Sequence, residues 1–125
     1  METKDFNEIM AELKKLLTRY NNELKVTKNS DKAYELTIDK PVSLAGRKYD
    51  NLFFASCMLQ KGHVGFYFFP VYTHPAAFPA IPDELKKTLK GKSCFNLKKW
   101  NDAIAAQVED ILQQGLELYK KEGLI

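Results

Sequence analysis

Apolar residues recur every three or four positions in the first twenty residues, which is typical of a helix with one buried side. The apolar positions are Phe6, Ile9, Met10, Leu13, Leu16, Leu17 and Tyr20. Acidic residues lie near the start of this segment and basic residues near its end, an order that complements the helix dipole. We predict a helix over residues 4–20.

Alternating and strongly apolar stretches follow, and they predict strands. Residues 24–27 and 33–38 flank a polar turn and are expected to form a hairpin. Residues 49–59 and 63–72 form a second predicted hairpin, with apolar side chains on both faces. Such strands are covered on each side in the middle of a sheet, or one face lines a pocket or an interface. Both readings stay open.

The last third of the chain alternates between helix and strand signals. Pro82 is expected to open a helix that Gly91 closes, residues 93–98 to form a strand, and a final helix to run from residues 100–102 to a stop at Gly123. The predicted order is α-β-β-β-β-α-β-α. This order predicts a single α+β domain over residues 1–125, with a largely antiparallel sheet of about five strands on which the N-terminal and C-terminal helices pack.

Composition narrows the functional classes. The chain has 125 residues and a net charge of +3, which is too mild to require a nucleic-acid partner. Gly62, Gly65, Pro70 and His74 interrupt the apolar runs well before the roughly 20 residues that a membrane span needs. The charged N-terminus lacks a signal-peptide pattern, so a cytoplasmic location without membrane contact is expected.

Four segments resemble a known family. FFAS (53–56), KGHVGFYFFPVY (61–72), the Pro-Asp-Glu-Leu-Lys-Lys helix start (82–87) and LKGKSCFNLKK (89–99) look like the YdhG-like family of small bacterial domains of unknown function. Some members of the wider family are described as frataxin-like iron chaperones. The resemblance therefore implies an α/β sandwich and, as one alternative function, a role as an intracellular iron chaperone.

Acidic residues on the first helix are the candidate metal ligands. Asp5, Glu8 and Glu12 are three and four positions apart, so they share one side of the helix, and carboxylates suit iron ions. However, residues 1–20 hold four acidic and four basic residues, as a solvated outer face does. Cys57, Cys94 and the two histidines lack the close spacing of a metal motif, and no cofactor besides iron is indicated.

The sequence offers little for catalysis. Cys57 and Cys94 lie in apolar strands, which raises the pKa of a thiol, and Gly91-Lys92-Ser93 lacks the upstream glycine of a phosphate-binding loop. Residues 61–68 superficially match an RNA-recognition octapeptide, but Gly65 occupies a position where a stacking aromatic belongs. We therefore expect no enzyme, and nucleic acid is not expected as a partner.

Aromatic residues near the end of the second central strand are the candidate ligand site. Tyr67, Tyr72 and His74 precede a proline-rich segment, and Arg47 on an earlier loop is expected to join them. Tyrosine combines an apolar ring with a polar hydroxyl, which suits contact with a small ligand or a partner. The leading prediction is a non-enzymatic binding domain for an unknown small molecule or protein; a protein-protein interaction module, including a homodimer, is the other alternative.

Overall fold

The computed structural model describes residues 2–44 and 46–125. Its helices are α1 (Phe6–Leu17), α2 (Pro70–Thr73), α3 (Asp83–Lys86) and α4 (Asp102–Lys121). Its strands are β1 (Glu2–Thr3), β2 (Lys25–Asn29), β3 (Ala33–Ile38), β4 (Val42–Leu44), β5 (Arg47–Tyr49), β6 (Leu52–Leu59), β7 (Val64–Phe68), β8 (Leu89–Lys90), β9 (Cys94–Leu97) and β10 (Trp100–Asn101). Short 3₁₀ turns cover Thr18–Tyr20 and Pro75–Ala77.

The main sheet confirms the predicted α+β class and its antiparallel character. Its strand order is β2-β3-β6-β7-β9-β8, and every neighbouring pair is antiparallel. The described part of the sheet has six strands instead of about five, because β8 adds an edge that the sequence pattern did not indicate. Two further two-stranded pieces, β1-β10 and β4-β5, lie outside it. None of the helices in residues 2–44 and 46–125 has the length and hydropathy of a membrane span.

The two long helices lie side by side on one face of the sheet. Arg19 of the turn after α1 contacts Glu109 of α4, with 2.7 Å between Nη1 and Oε1. Helix α1 contacts β3, β6 and β7, and Tyr119 of α4 packs edge-on against Phe54 of β6 at 5.9 Å between ring centroids. The core therefore lies between this helical layer and the inward side chains of the sheet.

Local signals explain where both long helices begin and end. The carboxylate of Asp5 accepts hydrogen bonds from the backbone N–H groups of Asn7 and Glu8 and caps α1. The side chain of Asn101 caps α4 in the same way. Gly123 follows α4 with a φ of +76°, a left-handed conformation that favours glycine, so the predicted C-terminal stop is confirmed.

Three predicted elements differ from the structure. The first central strand is interrupted after Tyr49, so that β5 pairs with β4 and not with the main sheet. The second ends at Phe68, because Pro70 cannot donate to a ladder and begins the helical turn α2. The helix expected to end at Gly91 contains only Asp83–Lys86; Gly91, with a φ of +69°, lies in the turn between β8 and β9.

The other face of the sheet has no long helix over it within the described residues. Along β7 the fully buried Val64, Phe66 and Phe68 alternate with Gly65 and Tyr67, which face away from the helices. Outward side chains such as those of Phe53, Met58 and Phe69 are half-buried. The apolar character of both strand faces therefore reflects one fully buried core face and one half-buried aromatic face, the open face of the sheet.

Candidate functional site

A cleft lies where the β4-β5 hairpin meets the turn after β7. It has a volume of about 270 Å³ and is lined by Leu44, Arg47, Tyr49, Phe69, Tyr72 and Thr73. The hairpin supplies the first three residues, with Leu44 opposite Arg47 in register. The helical turn and the residue before it supply the other three, so the site joins segments that are at least twenty positions apart in the sequence.

Backbone hydrogen bonds hold the helical-turn wall of the cleft in place. The N–H of Phe69 donates to the carbonyl of Phe54 at 2.9 Å, which ties the turn to β6. The N–H groups of Tyr72 and Thr73 donate back to the carbonyl of Phe69 at 2.9 and 3.1 Å. This wall is therefore rigidly joined to the sheet, and the side chains that it presents have defined positions.

The cleft combines aromatic surface with positive charge. Tyr72 is 45% exposed, and its ring packs against that of Phe69 at 5.5 Å. The ammonium of Lys92 lies 5.1 Å from the ring centroid of Tyr72, a cation–π distance. Arg47 is exposed, and its guanidinium has no hydrogen bond or ion pair to any residue of 2–44 or 46–125. The guanidinium is thus free to bind an anion, for which its planar fork is suited.

A chain of hydrogen bonds leads away from the cleft at Thr73. Its hydroxyl lies 2.6 Å from the hydroxyl of Tyr119 and 2.9 Å from Nδ1 of His74. Nε2 of His74 contacts the carboxylate of Glu122, just after α4. Burial raises the pKa of Tyr119 to about 12, so this phenol keeps its proton at neutral pH. The chain therefore connects a cleft residue to the C-terminal end of α4.

The four predicted ligand-site residues have three different placements. Arg47 and Tyr72 line the same cleft. His74 faces Tyr119 and Glu122 behind the cleft and reaches it through Thr73. Tyr67 lies on the open face, where its hydroxyl accepts a hydrogen bond from Gln60 at 3.3 Å and its backbone pairs with Cys94.

Sequence reasoning missed the other side chains of the cleft. Leu44, Tyr49, Phe69 and Thr73 become neighbours only because β4 and β5 form a separate hairpin beside the turn. The break after Tyr49, at the polar pair Asp50-Asn51, is the signal that could have indicated this hairpin.

The three predicted metal ligands do not form a ligand set. Asp5 is occupied as the cap of α1, Glu8 accepts a hydrogen bond from Thr3, and Glu12 pairs with Lys15 at 3.3 Å. Among the residues that the structure describes, no three His, Cys, Asp or Glu side chains cluster around a common point. The spacing that placed the acids on one side of the helix was compatible with separate partners for each of them.

The cysteines lie outside the cleft. Burial raises the pKa of Cys57 to about 12 and, to a smaller extent, the pKa of the half-buried Cys94. The thiol of Cys94 donates to the side-chain oxygen of Asn96 at 3.1 Å. Both groups are therefore poor nucleophiles at neutral pH.

A larger groove, of about 440 Å³, lies where the C-terminal residue meets β2 and β3. Three of its charged side chains have ion-pair partners, since Lys25 pairs with Asp39 at 3.7 Å and Glu23 pairs with Lys120 at 2.5 Å, whereas Lys40 is exposed. The groove has two acidic side chains and no aromatic ring, so it offers less to an anionic ligand than the smaller cleft at Arg47, which has three aromatic rings and no acidic side chain.

The fold and the cleft together define a small α+β domain with an aromatic, cationic cleft. Comparison with protein-family models, with curated proteins and with solved structures found no match to this chain.

Proposed function

We propose that this protein is a non-enzymatic binding domain of the YdhG-like kind, and that its cleft binds a small organic anion with an apolar or aromatic body. The observation that carries this proposal is the unpaired guanidinium of Arg47 beside the rings of Phe69 and Tyr72. The rings offer an apolar surface, and Arg47 offers a bidentate partner for a carboxylate or a tetrahedral anion. Lys92 adds positive charge 5.1 Å from the ring centroid of Tyr72.

The arrangement favours binding over catalysis. Thr73, His74 and Glu122 follow the order of a nucleophile, a base and an orienting acid. However, Thr73 also lies 2.6 Å from the phenol of Tyr119. When the proton of Thr73 is directed at His74, the phenol must donate to the same oxygen, and this bond lowers the nucleophilicity of the hydroxyl.

Titration of backbone amide NMR signals tests the proposal. The probes are benzoate and benzenesulfonate, with benzyl alcohol as an uncharged control. We expect the two anions to shift the signals of residues 44, 47, 49, 69, 72 and 73, and the alcohol to bind more weakly. Arg47→Ala should weaken binding of the anions about tenfold or more, as expected for a charge-assisted hydrogen bond.

Lys48 provides a matched control. It is the next cation of the same strand, exposed like Arg47, and it lies outside the cleft. Lys48→Ala removes the same charge from the hairpin but should leave the affinity within about twofold, because general attraction at this distance is screened. Equal losses in both variants would contradict a specific site at Arg47.

The open face of the sheet favours a second candidate, an interaction module. Phe53 and Phe69 pack edge-to-face at 5.9 Å, and Phe69 continues to the exposed Tyr72. Aromatic surface of this kind is enriched at protein interfaces. Sedimentation velocity over a range of concentrations tests self-association, and Phe53→Ser should abolish any dimer that uses this face. A monomer at every concentration would contradict the homodimer form of this candidate.

A further inference from the structure

The hydrogen-bond chain behind the cleft has a defined direction when His74 is neutral. An ionised carboxylate only accepts hydrogen bonds, so Glu122 requires the proton of the imidazole to be on Nε2. Nδ1 is then an acceptor, and the hydroxyl of Thr73 must donate to it. The phenol of Tyr119 in turn donates to the oxygen of Thr73. Every proton of the chain is used, and the hydroxyl of Thr73 offers the cleft only a lone pair.

Protonation of His74 reverses one of these bonds. Nδ1 then carries a proton and donates to the oxygen of Thr73, which also accepts from Tyr119. The hydroxyl proton of Thr73 loses its acceptor and is free to point into the cleft that Thr73 lines. The same side chain would thus repel an anion in one state and donate a hydrogen bond to it in the other.

We propose that His74 controls the cleft through Thr73, so that the site binds anions more tightly when His74 is protonated. This inference rests on the proposed anion-binding function. His74 is a positioning residue here, since it acts through Thr73 and does not line the cleft. Because imidazole gains a positive charge when it is protonated, the affinity of the cleft for anions would rise as the pH falls.

The groups around His74 leave its imidazole as the one whose protonation changes the hydrogen-bond chain. From α4 and its end it faces the ring of Tyr119 at 5.7 Å and the carboxylate of Glu122. From its own segment it faces the uncharged Thr73. On the hairpin side, Tyr49 of β5 contributes to the raised pKa of Tyr119. Arg47 is the cation that lines the cleft. The raised pKa of Tyr119 keeps that phenol protonated across the whole range.

The decisive measurement is the affinity for benzenesulfonate, whose charge does not change with pH, at about pH 5.5 and about pH 8. We expect binding about tenfold tighter at the lower pH, the size of one hydrogen bond to a charged group. His74→Gln and Thr73→Val should each bring the ratio of affinities near one. His63→Gln is the matched control, because His63 is the other histidine and lies at the far end of β7, and it should keep the tenfold ratio. The same measurement with benzoate tests an anion that carries a carboxylate in place of the sulfonate.

A second measurement needs no ligand. Long-range ¹H–¹⁵N NMR spectra at about pH 8 report which nitrogen of a neutral histidine carries the proton. We expect Nε2–H at His74, and a proton on Nδ1 would overturn the inference.

The outcomes separate the two proposals. Binding that depends on Arg47 but not on pH, or a pH dependence that persists in His74→Gln, overturns the role of His74 and leaves the anion site standing. No binding of either probe at either pH overturns both.

Discussion

Replacing Gly115 by alanine tests how closely α4 lies on the sheet. Gly115 is buried in the middle of α4, opposite Phe68. A Cβ atom added there would lie 2.6 Å from Cζ and 3.0 Å from Cε1 of Phe68, and 3.0 Å from Cγ of Pro70. Carbon atoms in ordinary contact are about 3.5–4.0 Å apart, so the helix or the ring must move.

The expected cost follows from two opposing terms. Alanine is a better helix former than glycine by about 1 kcal/mol. Overpacking a tight core costs about 1–3 kcal/mol, and the upper end applies because Phe68 is fully buried and the ring of Pro70 is rigid. We therefore expect Gly115→Ala to lower the free energy of unfolding by about 2 kcal/mol, with a fall in Tm of roughly 6–10 °C.

Urea unfolding followed by far-UV circular dichroism measures this change. Gly62→Ala is the control, since no atom lies within 4 Å of the Cβ position and the backbone is not left-handed; it should be neutral or slightly stabilising. Phe68→Leu in the Gly115→Ala background should recover part of the loss through coupling of the two sites. A Gly115→Ala protein as stable as the parent would refute the close approach of α4.

Three further predictions follow from the capping residue, the buried phenol and the cysteines. Asp5→Ala should lower the free energy of unfolding by about 1 kcal/mol because α1 loses its cap, whereas Asp5→Asn should keep most of it; urea unfolding checks both. The free energy of unfolding that is linked to the raised pKa of Tyr119 is fully present below the ordinary phenol pKa. It should fall by about 1.4 kcal/mol per pH unit as the pH rises from there towards 12. In Tyr119→Phe the free energy of unfolding should therefore decrease less steeply with alkaline pH. Iodoacetamide at neutral pH should modify Cys94 slowly and Cys57 only after unfolding, because Cys57 is fully buried; mass spectrometry of the native protein distinguishes the two sites.

Elements with strong local signals were predictable from the sequence. The strand over residues 33–38 matches the observed β3, because its alternating side chains already define the buried face. The end of α4 at Gly123 follows from a residue that favours the left-handed conformation. In both cases the deciding information lies within a few residues of the element.

Elements that depend on distant partners were not predictable in this way. The lysine-rich segment after Pro82 has helix-forming residues, yet the helix ends at Lys86. Leu89 and Lys90 form a strand instead and pair with Phe95 and Cys94. The cleft has the same origin, since β4 and β5 pair with each other beside a turn that the pattern had assigned to a strand. Thr73 could not be predicted as a site residue from its own segment, because its hydroxyl contacts Tyr119, 46 positions away in the sequence.

Two of the cleft side chains, Arg47 and Tyr72, lie outside the core, and this makes the functional tests at these positions interpretable. Arg47 and Tyr72 are exposed, so substitutions there should change the free energy of unfolding by no more than about 0.5 kcal/mol. The backbone beneath them is fixed by the hydrogen bond from Phe69 to Phe54, which neither substitution removes. A loss of anion binding in Arg47→Ala without a loss of stability therefore reports on the site itself. Thr73 lies on the boundary between the cleft and the core, because its hydroxyl contacts both His74 and the buried Tyr119. Thr73→Val must therefore be judged by the ratio of its affinities at two pH values and not by its affinity alone.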